Sequence, residues 1–287
     1  MNGLAKWLAE QPARRVVFIA GLFPLPFLGL LSAAAVVMSA QLNGIRRAGI
    51  ECLAALLVVA GIGWAAGMDI PFLLASAAIS WLVWLALGEL LNRSGSLALA
   101  IQASVLIALF GLGLIYATID DPVAYWAEML EALYAELRQD NVAVDADVAA
   151  QAELMSGLVM AGSLVGTVIA LLLGNGLARA AGNGSQPGQF TRLRMGTALG
   201  VLAGVLGLAE LAGLNTGGAL LIVGVAFMFQ GMAVLGWWSQ QLGWPAGWWL
   251  GLCILLVLLP GVLTILLLLF AMAGFIDNWF SLRRKSA

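Results

Sequence analysis

The stretch LGLCILLVLLPGVLTILLLLFAMAGF, from Leu250 to Phe275, contains no charged residue and decides the class of the fold. It is longer than the ~20 apolar residues with which a helix crosses about 30 Å of hydrocarbon. Over the whole chain 62% of the residues are hydrophobic and 10% are charged, whereas soluble domains average roughly 45–50% and about 25%. The sequence therefore predicts an all-α fold, a polytopic transmembrane helical bundle.

About eight apolar segments follow one another along the chain, and we expect helices in them because a helix satisfies every backbone group within a single span. They cover residues 16–42, 49–67, 72–91, 97–118, 154–178, 196–213, 217–238 and 247–276. Proline interrupts the first segment at Pro24–Pro26 and the last at Pro260. Since proline removes a hydrogen bond in a helix interior, each of these two is either a kinked helix or a hairpin. We expect residues 1–287 to form a single transmembrane domain.

The distribution of basic residues favours cytoplasmic termini and a hairpin in the first segment. With that hairpin, the basic loops return to the side of the N-terminus, as the positive-inside rule requires. These loops carry Arg46, Arg47, Arg93, Arg179, Arg192 and Arg194, and the N-terminus carries Lys6, Arg14 and Arg15. A break in the last segment would bring the basic C-terminal end to the same side.

The uncharged stretch ends in GFIDNWFSLRRK, Gly274 to Lys285, which is typical of a membrane exit. Aromatic residues of this stretch are expected near the headgroups, and its three basic residues are expected to anchor the end in the cytoplasm. Asp277 either caps a short terminal turn or pairs with Arg283 or Arg284.

Residues 119–153 form the one extensive polar segment, with nine carboxylates against a single basic residue, Arg138. Asp121 is a candidate N-cap, and Pro122 suits the first position of a helix. Apolar residues then recur at three- and four-residue spacing. We predict an acidic amphipathic helix on the extracytoplasmic side, either a solvated loop helix or a lid over a cavity.

The residue types of this chain argue against several kinds of chemistry. Histidine is absent, which excludes Ser-His and Cys-His catalysis and disfavours a transition-metal site. The two cysteines, Cys52 and Cys253, both lie within apolar runs and are expected to pack as small hydrophobic residues. We predict no catalytic, cofactor or metal site, no enzymatic activity and no nucleic-acid partner.

Polar residues at membrane depth are costly and therefore informative. Gln230 lies near the middle of its segment, inside FMFQGMAV, and Glu210 lies near the end of another segment. For Gln230 the alternatives are a hydrogen bond between helices and contact with a solute. The candidate solute or helix-contact residues are Gln230, Glu210, Asn215, Gln102 and Asp277. No buried acid–base pair is expected, so a proton-driven pump is not supported.

Several short motifs occur in a characteristic order. PLP is followed by LNGIRRAG (Leu42–Gly49), RLRMG (Arg192–Gly196), FMFQGMAVLGWW (Phe227–Trp238) and GFIDNWFSLRRK. Together they resemble the YybS-like family of bacterial integral membrane proteins. That family is itself distantly similar to the substrate-binding membrane subunits of energy-coupling-factor transporters. The resemblance implies an inner-membrane bundle with a solute cavity toward the outside, and it supplies no catalytic residue.

Two functions follow as alternatives. The first is a small-solute-binding or transport subunit, with a membrane coupling subunit or a second copy of the chain as partner. The second is a structural or assembly protein of the membrane that scaffolds partners without a ligand, using its glycine-lined helix faces and basic loops. A polar cavity around Gln230 would favour the first alternative, whereas a tightly filled bundle would favour the second.

Overall fold

A computed structural model describes residues 2–25, 27–139, 147–182, 190–245, 247–248 and 260–283. This part of the chain is built from α-helices and one short 3-10 turn, Phe190–Arg192. The helices are α1 (Asn2–Glu10), α2 (Pro12–Leu22), α3 (Gly29–Ala65), α4 (Ile70–Ser94), α5 (Leu97–Thr118), α6 (Pro122–Gln139), α7 (Val148–Ala180), α8 (Gly196–Leu211), α9 (Gly217–Gln241) and α10 (Pro260–Phe280).

Five of the described helices, α3, α4, α5, α7 and α9, are long and apolar enough to cross a membrane. The prediction of a multi-pass helical membrane protein is therefore confirmed. The predicted number of about eight segments is not confirmed, since α8 has only 16 residues and a membrane-spanning helix needs ~20. The last predicted segment is described only in part, because α10 begins at Pro260 and residues 249–259 lie outside the described chain, as does Cys253.

The chain divides into two compact units. Unit 1 comprises Met1–Ser104 and Val165–Gln189, and unit 2 comprises Val105–Leu164 and Phe190–Ala287. Helices α5 and α7 each contribute residues to both units.

In unit 1 the first predicted segment is a hairpin. Helix α2 ends at Leu22 and α3 begins at Gly29, so the helices stop on either side of the proline-containing stretch. The hydroxyl of Ser32 donates a hydrogen bond to the carbonyl oxygen of Ile19 at 2.8 Å, across 13 positions of sequence. In one straight helix these residues would lie about 20 Å apart, so the chain reverses between α2 and α3.

Helix α3 is itself folded at Gly44, whose φ of 75° and ψ of 163° are not helical. The positive φ is a conformation that glycine adopts without steric cost. Ser39 and Glu51 lie 12 positions apart, yet their side chains are joined by a hydrogen bond of 2.5 Å, whereas a straight helix would separate them by about 18 Å. The two halves of α3, residues 29–43 and 45–65, therefore fold back on each other, within the predicted LNGIRRAG turn.

In unit 2 helices α9 and α10 cross with their backbones in contact. A Cβ atom on Gly231 would overlap the carbonyl oxygen of Phe270, and a Cβ on Gly274 would overlap that of Phe227. Each helix thus supplies a phenylalanine followed four positions later by a glycine, and small residues at such spacing let membrane helices approach closely. The crossing brings the middle of α9 against the last turns of α10.

The predicted acidic amphipathic segment contains α6, which packs on the first turns of α7. Asp121 accepts a hydrogen bond from the backbone N–H of Ala124 at 2.9 Å, so the predicted N-cap is confirmed. The indole N–H of Trp126 donates to the hydroxyl of Ser156 at 2.8 Å. The apolar stripe is buried only on one side, since Leu133 is 48% exposed. Residues 140–146 of this segment lie outside the described chain.

Candidate functional site

Two of the predicted site residues, Gln230 and Asp277, are brought together at the crossing of α9 and α10. The amide nitrogen of Gln230 donates to Oδ2 of Asp277 at 2.9 Å. The amide oxygen of Gln230 accepts from the backbone N–H of Met195 at 2.8 Å. Gln230 and Asp277 are both 0% exposed. A hydrogen bond between helices, one of the two alternatives for Gln230, is therefore present.

Arg283 completes this cluster. Its Nη2 lies 2.6 Å from Oδ2 of Asp277 and its Nε lies 3.3 Å from Oδ1, which is a two-pronged ion pair. The same guanidinium donates to the carbonyl oxygens of Thr191 at 2.7 Å and Leu193 at 2.6 Å. The predicted pairing of Asp277 with Arg283 is confirmed. We call Gln230, Asp277 and Arg283 the C-terminal cluster.

The local sequence explains how this cluster forms. Gln230 directly precedes Gly231, and Asp277 lies three positions after Gly274, so the close helix crossing places the two side chains face to face. The stretch after the 3-10 turn contributes backbone groups, because Leu193 and Met195 are buried and hold it against α9. The cluster therefore ties together α9, the end of α10 and the chain that precedes α8.

A second buried cluster lies in unit 1. Arg15 donates from Nε to Oε2 of Glu51 at 2.9 Å and from Nη2 to Oε1 at 2.5 Å. The hydroxyl of Ser39 also donates to Oε2 of Glu51. The remaining guanidinium nitrogen of Arg15 donates to the carbonyl oxygens of Leu8 at 2.8 Å and Ala9 at 3.2 Å. We call Arg15, Glu51 and Ser39 the N-terminal cluster.

These two clusters correct the sequence-based expectation that no buried acid–base pair is present. The side chains of Arg15 and Glu51 are 4% and 8% exposed, and those of Arg283 and Asp277 are 5% and 0% exposed. Neither Arg15 nor Glu51 was among the predicted site residues. The available signal was Glu51 itself, a carboxylate inside an apolar segment, where an ionisable residue needs a partner.

Both clusters have the same electrostatic design. A guanidinium binds one carboxylate with two parallel hydrogen bonds, the geometry that makes arginine–carboxylate pairs strong and directional. The rest of the guanidinium binds two backbone carbonyl oxygens, and a neutral side chain, Ser39 or Gln230, gives the carboxylate a third donor. Buried charges are tolerated when they are paired and hydrogen-bonded in this way.

The other three predicted residues are not part of either cluster. Glu210 is exposed and accepts hydrogen bonds from the backbone N–H and the hydroxyl of Thr216, at 2.7 and 2.8 Å, just before α9 begins. Asn215 is exposed in the same turn. This turn lies about 20 Å along α9 from Gln230, at 1.5 Å per residue. Gln102 is half-buried in the part of α5 that belongs to unit 1.

Exposed arginines lie beside both clusters. Arg192 and Arg194 alternate with buried Leu193 and Met195 in the stretch that the C-terminal cluster holds. Arg46 and Arg47 are likewise exposed, directly after the break at Gly44. Within the described chain no ion pair involves any of these four arginines.

Two grooves of the described chain are apolar. In unit 1 a groove of about 430 Å³ lies between the second half of α3 and α4, with Arg46 among its lining residues. In unit 2 a groove of about 300 Å³ between α8, α9 and α10 is lined by apolar residues and Gly224. Among the described residues no three His, Cys, Asp or Glu side chains come together as metal ligands.

Comparison of the chain with protein-family models, with curated proteins and with solved structures gives no match in any of the three.

Proposed function

We propose that this chain is a non-enzymatic structural or assembly protein of the bacterial cytoplasmic membrane. Its two buried arginine–carboxylate clusters hold the chain in place, and the basic stretch that the C-terminal cluster binds, with Arg192 and Arg194, binds an acidic segment of a partner protein. One observation carries the proposal. In the C-terminal cluster the oxygen and the nitrogen of the Gln230 amide and both oxygens of Asp277 are hydrogen-bonded within the protein.

A solute-binding role for Gln230 and Asp277 is harder to reconcile with this geometry. A solute would have to replace hydrogen bonds to Met195 and Arg283, and each abandoned buried donor or acceptor costs about 1–3 kcal/mol. Both residues are also completely buried. These facts support the interpretation that Gln230 and Asp277 connect helices.

Arg192 and Arg194 supply the binding surface of the proposed scaffold. Arg192 and Arg194 extend from a stretch whose neighbouring carbonyl oxygens, of Thr191 and Leu193, are bound by Arg283. Their backbone is therefore held before any partner arrives, which reduces the entropy lost on binding. The planar fork of arginine favours carboxylates, so the fitting partner segment is rich in Asp or Glu.

The positive-inside rule gives the orientation that we propose. The turns with Arg46/Arg47 and Arg192/Arg194 then lie in the cytoplasm with both termini, and acidic α6 lies on the opposite side. The lipid bilayer surrounds the apolar helices, and the partner protein approaches from the cytoplasm.

Partner retention in mild detergent tests this function. The wild-type chain is purified from its native membranes beside the double variant R192S/R194S and the control R138S, which removes an exposed arginine from α6. We expect the wild type and R138S to retain the same partner and R192S/R194S to lose it, with retention falling as salt screens the charges. A partner retained equally by all three chains would overturn the proposal.

A solute-binding subunit resembling those of energy-coupling-factor transporters is the second candidate. The open groove of unit 1 favours it, because ligand sites are concave and mostly apolar. In that case the chain co-purifies with a coupling subunit and ATPases, and the partner is retained by R192S/R194S. Membership of the YybS-like family stays a prediction.

A further inference from the structure

We propose that the groove between the second half of α3 and α4 binds one anionic phospholipid of the surrounding bilayer. Arg46 contacts the headgroup, and one acyl chain lies along the groove. This lipid site is separate from the partner-binding turns at Arg192 and Arg194, so it stands or falls independently of the proposed function.

The groove has the shape and chemistry of an acyl-chain site. Its volume is about 430 Å³, and apolar side chains line nearly all of it. Its floor includes Cys52 and Trp81, which are 6% and 1% exposed, while the rim residues Leu53 and Leu82 are each 65% exposed. The groove is thus open along its side, where lipid surrounds a membrane-spanning helix pair.

The length of the groove matches one leaflet. On α3 its lining extends from Ile45 to Leu56, which is about 16 Å at 1.5 Å per residue. Half of a hydrocarbon core of about 30 Å is nearly the same distance. An acyl chain that enters from the headgroup level at Ile45 therefore ends near the membrane centre at Leu56.

The charge at one end selects the headgroup. Arg46 lines the groove, is exposed, and forms no ion pair with the described residues. Its neighbour Arg47 is exposed as well, and Glu51, the buried carboxylate five positions after Arg46 along α3, is already bound by Arg15. A guanidinium at the membrane surface that has no carboxylate partner in the described part of the chain attracts a phosphate, to which it donates two hydrogen bonds.

A second polar group of the groove also lacks a partner. Trp81 lines the groove, and its indole N–H is buried without a hydrogen-bond acceptor among the described residues. Buried indole N–H groups usually find a partner, and an unpaired one calls for an explanation. A phospholipid carries ester carbonyl oxygens between its headgroup and its chains, and these are acceptors of the required kind.

Glycines of α3 provide matched variants for a test. Gly49 lines the groove, and a Cβ there would meet no atom within 4 Å. Gly61 lies on the same half of α3, has equally open surroundings and does not line the groove. The Cβ atom of Gly49→Leu therefore has room and its side chain is added to the groove, whereas Gly61→Leu adds the same side chain outside the groove. Because both substitutions improve helix propensity, a difference in lipid binding between the two variants is not explained by a loss of folding.

The experiment is native mass spectrometry of the full chain after equilibration with equal amounts of phosphatidylglycerol and phosphatidylcholine that have identical acyl chains. We expect the wild type and G61L to retain one phosphatidylglycerol about tenfold over phosphatidylcholine, the ratio given by one charge-assisted contact. G49L should retain neither lipid, and R46Q should retain lipid without preference for the anionic headgroup.

Three results would overturn the proposal. One is equal retention of the two lipids by the wild type, which would indicate general boundary lipid only. Another is unchanged retention of phosphatidylglycerol by G49L, which would place the lipid elsewhere. The third is an unchanged headgroup preference in R46Q.

Discussion

The amide nitrogen of Gln230 lies 2.9 Å from Oδ2 of Asp277, although 47 positions of sequence separate the two residues. This contact exists because α9 and α10 cross with Gly231 and Gly274 against each other's neighbouring backbone. Asp277, near the end of α10, is thereby connected to the middle of α9. Through Arg283 it is also connected to the chain before α8. The proposed scaffold role depends on these contacts of Asp277.

Breaking the ion pair of the C-terminal cluster should destabilise the protein strongly. Asp277→Asn leaves the guanidinium of Arg283 buried without its counter-charge. Arg283→Met likewise leaves the carboxylate of Asp277 buried without its counter-charge. We expect each single variant to lower the free energy of unfolding by about 3–5 kcal/mol, measured by denaturant titration in detergent micelles.

The double variant D277N/R283M is the control for that prediction. It leaves no buried charge in the cluster, so its loss should be at least about 1 kcal/mol smaller than the sum of the two single losses. Strictly additive losses would show that the two charges do not interact as the distances indicate.

The N-terminal cluster should respond in a graded way. Glu51→Gln removes the counter-charge of Arg15 and should cost about 3 kcal/mol or more. Ser39→Ala removes one neutral donor and leaves the two-pronged ion pair, so it should cost about 1 kcal/mol. Thermal unfolding of the two variants side by side measures the difference, and equal losses would argue against the ion pair as the main contribution.

The sequence predicts the class of fold and the local features of the site, and it misses the distant contacts. The break near Pro24 follows from a residue that removes a helical hydrogen bond, and the break at Gly44 follows from one that adopts a positive φ without steric cost. The pairing of Asp277 with Arg283 joins residues six positions apart in the chain. The Arg15–Glu51 pair needs both chain reversals together, and which side chains then face each other is set by helix packing that no periodicity encodes. The apolar segment around Gln230 indicates that this residue lies at membrane depth. Its partner, Asp277, is set by the crossing of α9 and α10, which the sequence does not predict.

The close crossing of α9 and α10 should tolerate no added methyl group. In Gly231→Ala and Gly274→Ala the new Cβ would overlap a backbone carbonyl oxygen, so the helices must separate, at a cost of about 1–3 kcal/mol. Gly224→Ala is the matched control on α9, because a Cβ there meets no atom within 4 Å. It should stabilise the helix by about 0.5–1 kcal/mol.

Thermal unfolding of these three glycine variants measures the change in stability that each added methyl group causes. A result in which G231A and G274A match G224A would mean that the two helices do not approach closely.

The proposed orientation predicts which side of the membrane each turn faces. Single cysteines are introduced at Asn92, beside Arg93, and at Glu131 on α6, in a chain whose own cysteines are replaced by alanine. A membrane-impermeant maleimide should label the cysteine at 131 from the outside of intact cells. The cysteine at 92 should react only after the membrane is opened. The reverse pattern would place the turn at Arg93 outside and would contradict the proposed orientation.

Native mass spectrometry of the intact particle, released gently from its own membranes, tests the central claim most directly. We predict a particle in which the wild-type chain carries a partner protein and lipid, with no polar small molecule bound at the C-terminal cluster. A small solute of defined mass that is present on the wild type and absent from a folded D277N variant would contradict the claim. Gln230 and Asp277 would then belong to a binding site, and their hydrogen bonds to the protein would describe its empty form.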